Sequence, residues 1–358
     1  MPSSESRFVG PRVVRALTCV ALVGTAACRF DGRHPGHRPG NGSGGASTSS
    51  GGTDAGGTSG TDTAGGGNAG SANTGGSGGA AGGVNCPPGT TGASCDVVTV
   101  DVVAGSTHTC ARRSDSSVYC WGSDTFGESS APGGSFASIA AGRVTTCGIR
   151  LGGELECWGG DPYVDPPVGA FDAVSVGGQY QVALGIDANL RYWGNLPANH
   201  VPPPAGPFRA LSAGFRHTCA IQMDGTALCW GIDVHIVESP NNTDVLTPPP
   251  GLYRSIAAGV DYSCAVAADG TLRCWGSDDQ HQADAPAGAF VAVATAFGHS
   301  CAIRTDRSVT CWGDARYTDA PAGSFSAIAM GLYHACAVRT DGSVACWGDD
   351  QFGQLDVP

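Results

Sequence analysis

The sequence predicts an all-β fold of short repeated units, arranged as a propeller or another radial repeat. Tryptophan, each time followed by glycine, recurs at spacings of 37, 35, 37, 45, 37 and 35 residues. The seven positions are Trp121, Trp158, Trp193, Trp230, Trp275, Trp312 and Trp347. No segment of useful length has the apolar periodicity of an amphipathic helix. A fixed period of this size without helices is typical of radial β architectures.

Each unit contains three short predicted strands. The first follows a Pro-x-Gly-x-aromatic turn, such as Pro132 to Phe136, and ends near a glycine such as Gly142. The second and third strands carry paired cysteines, and the third ends in Cys-Trp-Gly. A fourth strand is a candidate after the Trp-Gly loop, as in residues 353–357. The fourth unit carries an insertion within residues 232–250, which is a candidate protrusion from its blade.

Cysteine spacing predicts one disulfide inside each of six units. The third unit has Val182 and Tyr192 at the two equivalent positions, so both cysteines are missing together, as a bonded pair predicts. Disulfides form and persist in the oxidising environment of exported proteins. The predicted pairs are Cys110–Cys120, Cys147–Cys157, Cys219–Cys229, Cys264–Cys274, Cys301–Cys311 and Cys336–Cys346.

The turn between the paired cysteines supports the same pairing. In the fourth unit Met223-Asp224-Gly225 fits a three-residue loop, in which a type I turn is closed by a left-handed glycine. That register places Cys219 opposite Cys229 in an antiparallel strand pair, within disulfide range. Reduced buried thiols and a zinc site are the alternatives. Zinc needs four close ligands, usually with Cys-x2-Cys spacing, which is absent here.

The repeat resembles that of the regulator of chromosome condensation family. The last unit shows the pattern in Gly331, His334, Cys336, Asp341-Gly342, Cys346-Trp347-Gly348 and Gly353-Gln354. The resemblance covers residues 96–358 and implies a seven-bladed β-propeller. The short period is more similar to bacterial members, which include inhibitors of β-lactamases. Because the last unit stops one repeat step before the first begins, a closed ring would bring Asp96 and Pro358 together.

The N-terminal region has the features of an export signal followed by a tether. A basic start and a short apolar run lead to Thr25-Ala26-Ala27-Cys28, which resembles the lipobox of bacterial lipoproteins. We therefore expect a signal peptide over residues 1–27 and acylation of Cys28, with an ordinary cleaved signal as the alternative. Residues 28–85 form a predicted disordered linker, because residues 40–83 contain only Gly, Ser, Thr, Ala, Asn and Asp.

A small disulfide loop is predicted between this linker and the first repeat. Cys86 and Cys95 enclose a short segment that resembles a fragment of an epidermal-growth-factor-like module. We expect these two cysteines to bond to each other. The domain boundaries that follow are 86–95 for this loop and 96–358 for the propeller.

Composition and motifs limit the function. A formal net charge of −12 argues against a nucleic-acid partner. No nucleophile elbow, phosphate loop, zinc-protease or calcium-loop motif is present, so we expect neither catalytic residues nor a cofactor nor a metal. One repeat position holds polar residues that we expect to form structural hydrogen bonds, with a histidine metal ring as the alternative. The residues at this position are His108, Thr145, Tyr180, His217, Tyr262, His299 and His334.

Aspartates recur after the Trp-Gly dipeptides. Equivalent loops of a propeller share one face, so these residues form a candidate binding face for a basic partner or a cation. A solvated rim that keeps the protein soluble is the alternative. The residues are Asp124, Asp161, Asp233, Asp278, Asp279, Asp314, Asp349 and Asp350.

The sequence as a whole favours a non-catalytic protein-binding propeller at the cell surface or in the outer membrane, with release from the cell as a further option. We expect a monomer that contacts a membrane only through its N-terminal lipid. One alternative is an extracellular enzyme acting on polysaccharide or cell wall. Another is an inhibitor of a secreted enzyme such as a β-lactamase, which rests on the family resemblance alone.

Overall fold

The computed structural model of the chain describes residues 97–160, 164–196, 203–204, 206–232 and 243–358. It also describes a two-residue antiparallel pair, Leu17–Thr18 with Arg29–Phe30. Cys28, most of the predicted signal peptide and linker, and the predicted Cys86–Cys95 pair lie outside these residues. Within the described part of the chain, no helix is long and apolar enough to cross a membrane.

Seven three-stranded antiparallel sheets make up the repeat region, and we number them blades 1 to 7 in chain order. In each blade the second strand lies between the first and the third. The three strands are Thr99–Ala104, His108–Arg113 and Val118–Gly122 in blade 1; Phe136–Ala141, Thr145–Arg150 and Leu155–Gly159 in blade 2; Phe171–Val176, Tyr180–Gly185 and Leu190–Gly194 in blade 3; Phe208–Ala213, His217–Gln222 and Ala227–Gly231 in blade 4; Tyr253–Ala258, Tyr262–Ala267 and Leu272–Gly276 in blade 5; Phe290–Thr295, His299–Arg304 and Val309–Gly313 in blade 6; Phe325–Met330, His334–Arg339 and Val344–Gly348 in blade 7.

The blades form a closed ring. Each packs on the next, and blade 7 packs on blade 1, where Val102 and Trp121 share an apolar cluster with Ala327 and Val338. The indole of Trp121 also donates to the backbone oxygen of Gln354, at 2.9 Å. The C-terminal segment therefore lies against blade 1, as ring closure predicts. Asp96 itself lies outside the described residues.

The predicted fourth strand is wrong. Residues 350–355 form turns, and the described part of the chain has only three strands in any blade. The side chains of this segment bind its own backbone, because Asp350 accepts from the amide of Leu355 at 2.9 Å and Gln354 accepts from that of Phe352 at 2.8 Å. Amides used in this way are not available to a β ladder.

The predicted hairpins and disulfides agree with the structure. Six pairs are bonded, with Cα atoms 4.0–4.1 Å apart, and each pair lies directly opposite in register. Gly225 closes its turn with φ +96° and donates to the backbone oxygen of Gln222 at 3.0 Å. In blade 3, Val182 and Tyr192 lie opposite each other, and the Tyr192 hydroxyl accepts from the Trp230 indole at 2.7 Å.

Polar side chains at the start of the second strands link neighbouring blades. In five blades this side chain is hydrogen-bonded to a hydroxyl at the second position of the second strand in the next blade. The pairs, all 2.7–2.9 Å apart, are His108–Thr146, Tyr180–Thr218, His217–Ser263, Tyr262–Ser300 and His334–Thr109. The structural role predicted for this position is thereby confirmed at five of the seven junctions between blades.

The two junctions without this bond follow the two shorter units. The Trp spacing is 35 rather than 37 residues across the junctions between blades 2 and 3 and between blades 6 and 7. At longer junctions the indole donates to the preceding blade. The acceptor is a backbone oxygen for Trp158, which donates to Glu128 at 3.1 Å, and for Trp312, which donates to Gln282 at 2.9 Å. For Trp230 it is the Tyr192 hydroxyl, at 2.7 Å. Among the described residues, the indoles of Trp193 and Trp347 find no such partner.

The insertion in the fourth unit is described only at its end. Residues 233–242 lie outside the described residues, whereas Thr243 and Val245 pack back onto the ring. The amide of Thr243 donates to the Gly276 oxygen at 3.0 Å, and the Val245 oxygen accepts from the Trp275 indole at 3.0 Å. The described end of the insertion lies on the ring and does not protrude. Its Val245 oxygen accepts from a tryptophan indole, as outer-loop carbonyls of other blades do.

Replacing Ala188 by glycine is expected to stabilise the protein. Ala188 is exposed in the blade 3 hairpin with φ +62°, at the position that Gly225 occupies in blade 4. A left-handed conformation costs a residue with a Cβ about 1 kcal/mol relative to glycine. Ala188→Gly should raise the free energy of unfolding in urea by about that amount, and Gly225→Ala should lower it. A loss of stability in Ala188→Gly would contradict this assignment.

Replacing His217 by tyrosine is expected to weaken the pH dependence of stability. Burial lowers the pKa of His217 to about 4, below its ordinary value of 6.5. The unfolded chain therefore takes up a proton between pH 6.5 and 4 that the native protein excludes, and stability falls as pH falls through this range. Tyr180 and Tyr262 make the same bond without titrating there.

Urea unfolding at pH 7 and at pH 5 measures this effect. The parent chain should lose about 1–2 kcal/mol more than His217→Tyr between these two pH values, because the protonation of one buried histidine is removed. Equal losses in both chains would show that His217 is not the neutral hydrogen-bonding group described here.

Candidate functional site

Two sets of loops lie together on one face of the ring. The inner loops are the two residues after the Gly or Ala that follows each first strand, and the outer loops follow each Trp-Gly dipeptide. In every blade the first outer-loop amide donates to the last inner-loop carbonyl at 2.8–3.1 Å, as Asp314 does to Gly298. We call this side the mouth face, and the opposite side, which carries the hairpin turns, the hairpin face.

The inner loops are held by close backbone contacts between blades. A Cβ atom added to any of the six glycines before them would lie 2.2–2.8 Å from the carbonyl oxygen of the next blade. For Gly214 this oxygen belongs to Gly259, which also accepts from the amide of Phe215 at 3.1 Å. Because only glycine permits this approach, the inner loops hold their side chains at fixed positions around the axis.

The axis holds a small cavity lined mainly by glycine, alanine and valine. Its volume is about 110 Å³, and none of the described residues lining it is a carboxylate. Two serines deeper along the axis already have partners, since Ser175 accepts from the Ala213 amide and Ser212 from the Ala258 amide, both at 2.9 Å. Among the described residues, no pair of carboxylates for glycoside hydrolysis is found at the axis.

Six of the eight aspartates predicted for a binding face are described, and all six lie in the outer loops of the mouth face. Three of them also organise their own loops. Asp124 accepts from the Ser129 amide, Asp278 from that of Ala283 and Asp350 from that of Leu355, at 2.8–2.9 Å. Asp161 and Asp233 lie outside the described residues.

The mouth face carries an excess of negative charge. The described aspartates of its inner loops and of the first three residues after each Trp-Gly dipeptide are Asp124, Asp261, Asp278, Asp279, Asp314, Asp349 and Asp350. Asp284 lies further along the outer loop of blade 5. Its described arginines are Arg143, Arg216 and Arg316. Asp261, which the sequence analysis did not select, is half-buried, and burial raises its pKa above the usual range although Arg216 opposes the shift. A hydrogen bond from Arg316 lowers the pKa of Asp314.

The hairpin face is more balanced because most arginines lie there. Arg150 shows their typical contacts: its Nη1 donates to the Gly133 oxygen at 2.7 Å, and its guanidinium lies 4.0 Å from the centre of the Phe136 ring. Arg304 and Arg339 repeat both contacts in blades 6 and 7. The charge of the ring is thus segregated, with its acidic side at the mouth face.

An apolar arc follows one half of the mouth. The first inner-loop residue is Phe215, Val260, Phe297 and Leu332 in blades 4 to 7, but Ser106, Arg143 and Gly178 in blades 1 to 3. Phe297 remains 39% exposed, and the other three are partly exposed. The sequence analysis missed this arc. The signal was available in the residue after the glycine or alanine that follows each first strand, compared across the seven units.

The arc continues into a group of rings where blades 6 and 7 meet, which we call the aromatic cluster: Phe297, Tyr333 and Tyr317. The centroid of the Tyr333 ring lies 6.0 Å from that of Phe297 and 5.5 Å from that of Tyr317. Tyr317 belongs to the short 3-10 helix Ala315–Tyr317 and packs on the ring of His299 at 4.9 Å. These side chains come from two blades and converge only in the folded ring.

One group of side chains on this face has the composition of a metal site. Ligand atoms of Asp278, His281 and Asp284 lie within 4.8 Å of one another. His281 and Asp284 are exposed and already bonded to each other at 3.0 Å. No buried group of the described chain is directed at them, so we assign this cluster no ion.

Comparisons with known proteins agree with the fold. The model of the regulator of chromosome condensation (RCC1) repeat matches residues 99–128, 253–282 and 325–354, which are blades 1, 5 and 7 with their outer loops. No curated protein sequence matches the chain.

Several solved structures are similar to the chain. The ectodomain of the receptor kinase CR4 from Physcomitrella patens is 23% identical, with a TM-score of 0.61 over 71% of this chain and 74% of that one. The CRINKLY WD40 ectodomain of the Arabidopsis thaliana receptor kinase ACR4 is 25% identical, with a TM-score of 0.59 over 70% and 96%. Prp20p from Saccharomyces cerevisiae is 16% identical, with a TM-score of 0.45 over 72% and 73%. The repeat matches and the likeness to the two receptor-kinase ectodomains show an RCC1-like β-propeller.

Proposed function

We propose that the protein is an exported, lipid-tethered member of the RCC1-repeat family that binds a basic protein through its mouth face. The observation that carries this proposal is the combination of an apolar arc with an acidic surround on one rigid face. Exposed apolar groups rimmed by charge are typical of protein-binding surfaces. The negative charge would favour a basic partner and accelerate its encounter.

The tether follows from the N-terminal sequence. Acylation of Cys28 would anchor the chain, and a flexible coil over residues 40–83 would reach roughly 35–40 Å root-mean-square. The likeness to the ACR4 ectodomain, at 25% identity, supports a location outside the cytoplasm. Such a tether would hold the ring off the membrane while leaving its mouth face free to meet a partner. We propose that the protein acts as a monomer.

The side chains along the axis fit a binding protein better than an enzyme. Two polar side chains on the described part of the axis serve the ring itself, as the amide contacts of Ser175 and Ser212 show. The aspartates Asp124, Asp278 and Asp350 fold their own loops and do not converge as an acid and base pair. A secreted enzyme that is inhibited by the propeller would be one kind of partner within the same proposal.

Capture from secreted and outer-membrane fractions tests the proposal. The probe is the whole chain carrying Cys28→Ser, which keeps it unacylated and soluble. We expect a retained basic protein whose binding weakens as salt rises. Asp279→Asn, on the mouth face, should lower the association rate by about threefold or less, because rim charges act mainly on encounter.

Glu154→Gln is the matched control for this experiment. Like Asp279, Glu154 is exposed, and its substitution by glutamine removes one negative charge. Glu154 lies, however, in a hairpin turn on the opposite face. Its substitution should leave the association rate unchanged. Retention of no protein, together with turnover of a glycan, would contradict a binding function. An equal effect of the two substitutions would contradict the mouth face as the binding surface.

A further inference from the structure

The junction between blades 6 and 7 departs from the repeat at several positions on the mouth face. Ala296 stands where six blades have glycine, and Ala335 stands where five have Ser or Thr. The 3-10 helix Ala315–Tyr317 occupies the shortened outer loop. As a result, two buried groups, His299 Nε2 and Trp347 Nε1, have no hydrogen-bond partner in the described part of the chain.

These departures lower the stability of the protein, and the fold does not require them. A buried polar group without a partner is destabilising. At a regular junction His108 Nε2 is bonded to Thr146 at 2.8 Å and the Trp158 indole donates to Glu128 at 3.1 Å, although His108 Nδ1 has no partner among the described residues. In His299 the bonded nitrogen is instead Nδ1, which lies 3.1 Å from the Phe297 oxygen. Positions at which a repeat breaks its own rules at a cost are where a functional site is expected.

The junction between blades 2 and 3 shows that a short loop alone does not create the aromatic cluster. That junction shares the 35-residue spacing and an indole without a partner, at Trp193. Its inner loops nevertheless carry Arg143 and Val144 in blade 2, and Gly178 and Gln179 in blade 3. The rings that reach this junction belong to other blades, since Phe126 of blade 1 lies against Gly160 and Phe215 of blade 4 lies against Gly178. Aromatic residues at both inner loops distinguish the junction between blades 6 and 7.

Two aspartates adjoin the aromatic cluster through their backbones, and the carboxylate of one of them, Asp349, accepts from Gln354 Nε2 at 3.1 Å. The amide of Asp314 donates to the carbonyl of Gly298, beside Phe297, at 2.8 Å. The amide of Asp349 donates to the carbonyl of Tyr333 at 2.9 Å. The outer loop of blade 5 also reaches the cluster, because Gln280 lies against Gly298. That loop carries the further charge of its neighbouring aspartates.

The chain already places one cation at this cluster. Arg316 donates from Nε to both carboxylate oxygens of Asp314, at 3.0 and 3.1 Å, and its guanidinium lies 5.2 Å from the centre of the Tyr317 ring. A guanidinium is thus held between a ring and a carboxylate. Phe297 and Tyr333, beside Asp349, offer the same pair of groups without a cation of their own among the described residues.

We infer that Phe297 and Tyr333 anchor an arginine or lysine side chain from a basic segment of the partner protein, with Asp349 as its counter-charge. A cation over an aromatic ring is attracted to the electron-rich face of the ring, more strongly as water is excluded. Aromatic residues at the centre of an acidic face are also the usual positions of binding hot spots. This inference rests on the proposed function and names the site within the mouth face.

Fluorescein-labelled hexa-arginine is the probe, titrated into the whole Cys28→Ser chain at low salt and followed by fluorescence anisotropy. Phe297→Ala and Tyr333→Ala should each raise the dissociation constant at least fivefold. Tyr333→Phe keeps the ring and should change it by less than twofold. Thermal unfolding of each variant verifies that the ring is intact, and a hexa-glutamate peptide should not bind.

Phe126→Ala is the matched control. Phe126 is 56% exposed in an outer loop of the same face, next to Asp124, but it belongs to blade 1 and not to the aromatic cluster. Its substitution should change the dissociation constant by less than twofold. If hexa-arginine binds and Phe297→Ala and Tyr333→Ala leave its affinity unchanged, the anchor is wrong, although an acidic binding face would stand. If hexa-arginine does not bind the parent chain, the anchor is equally wrong, and capture of a basic protein still decides the proposed function.

Discussion

The close approach of backbones around the axis is the constraint on which the rest of the ring depends. Six glycines let each inner loop lie against the carbonyl of its neighbour, where a methyl group would lie 2.2–2.8 Å from that oxygen. This spacing brings the first side chain of one second strand within hydrogen-bonding distance of the next blade, as for His217 and Ser263. The described disulfides stabilise single blades and not the contacts between blades, because each joins two strands of one blade.

The same constraint creates the mouth face. Since the inner loops are fixed by backbone contacts, their side chains are free to vary without loss of the ring. The chain uses this freedom unevenly, with apolar residues such as Phe215 and Leu332 on one half and polar residues such as Ser106 on the other. The outer loops are held differently, by their own side chains, as Asp278 illustrates. A rigid face with variable side chains suits recognition of a single partner.

Features contained within one repeat were predictable from the sequence. The pairing of Cys219 with Cys229 needs only a turn and a register, and the missing pair at Val182 and Tyr192 follows by comparison of units. Side-chain contacts between two repeats were not, although ring closure was. The contact of Phe297 with Tyr333 requires the ring to place residues 36 positions apart side by side. The prediction of a fourth strand was wrong for another reason. The side chains of Asp350 and Gln354 accept from the backbone amides that a β ladder would need.

Backbone amide exchange of the chain, alone and with its captured basic partner bound, tests the central claim most directly. If the mouth face is the binding surface, exchange should slow in the inner loops at 297–298 and 332–333. The hairpin at 222–226 on the opposite face should exchange as in the free chain. Slower exchange in the hairpins, with the inner loops unchanged, would contradict recognition through the mouth face.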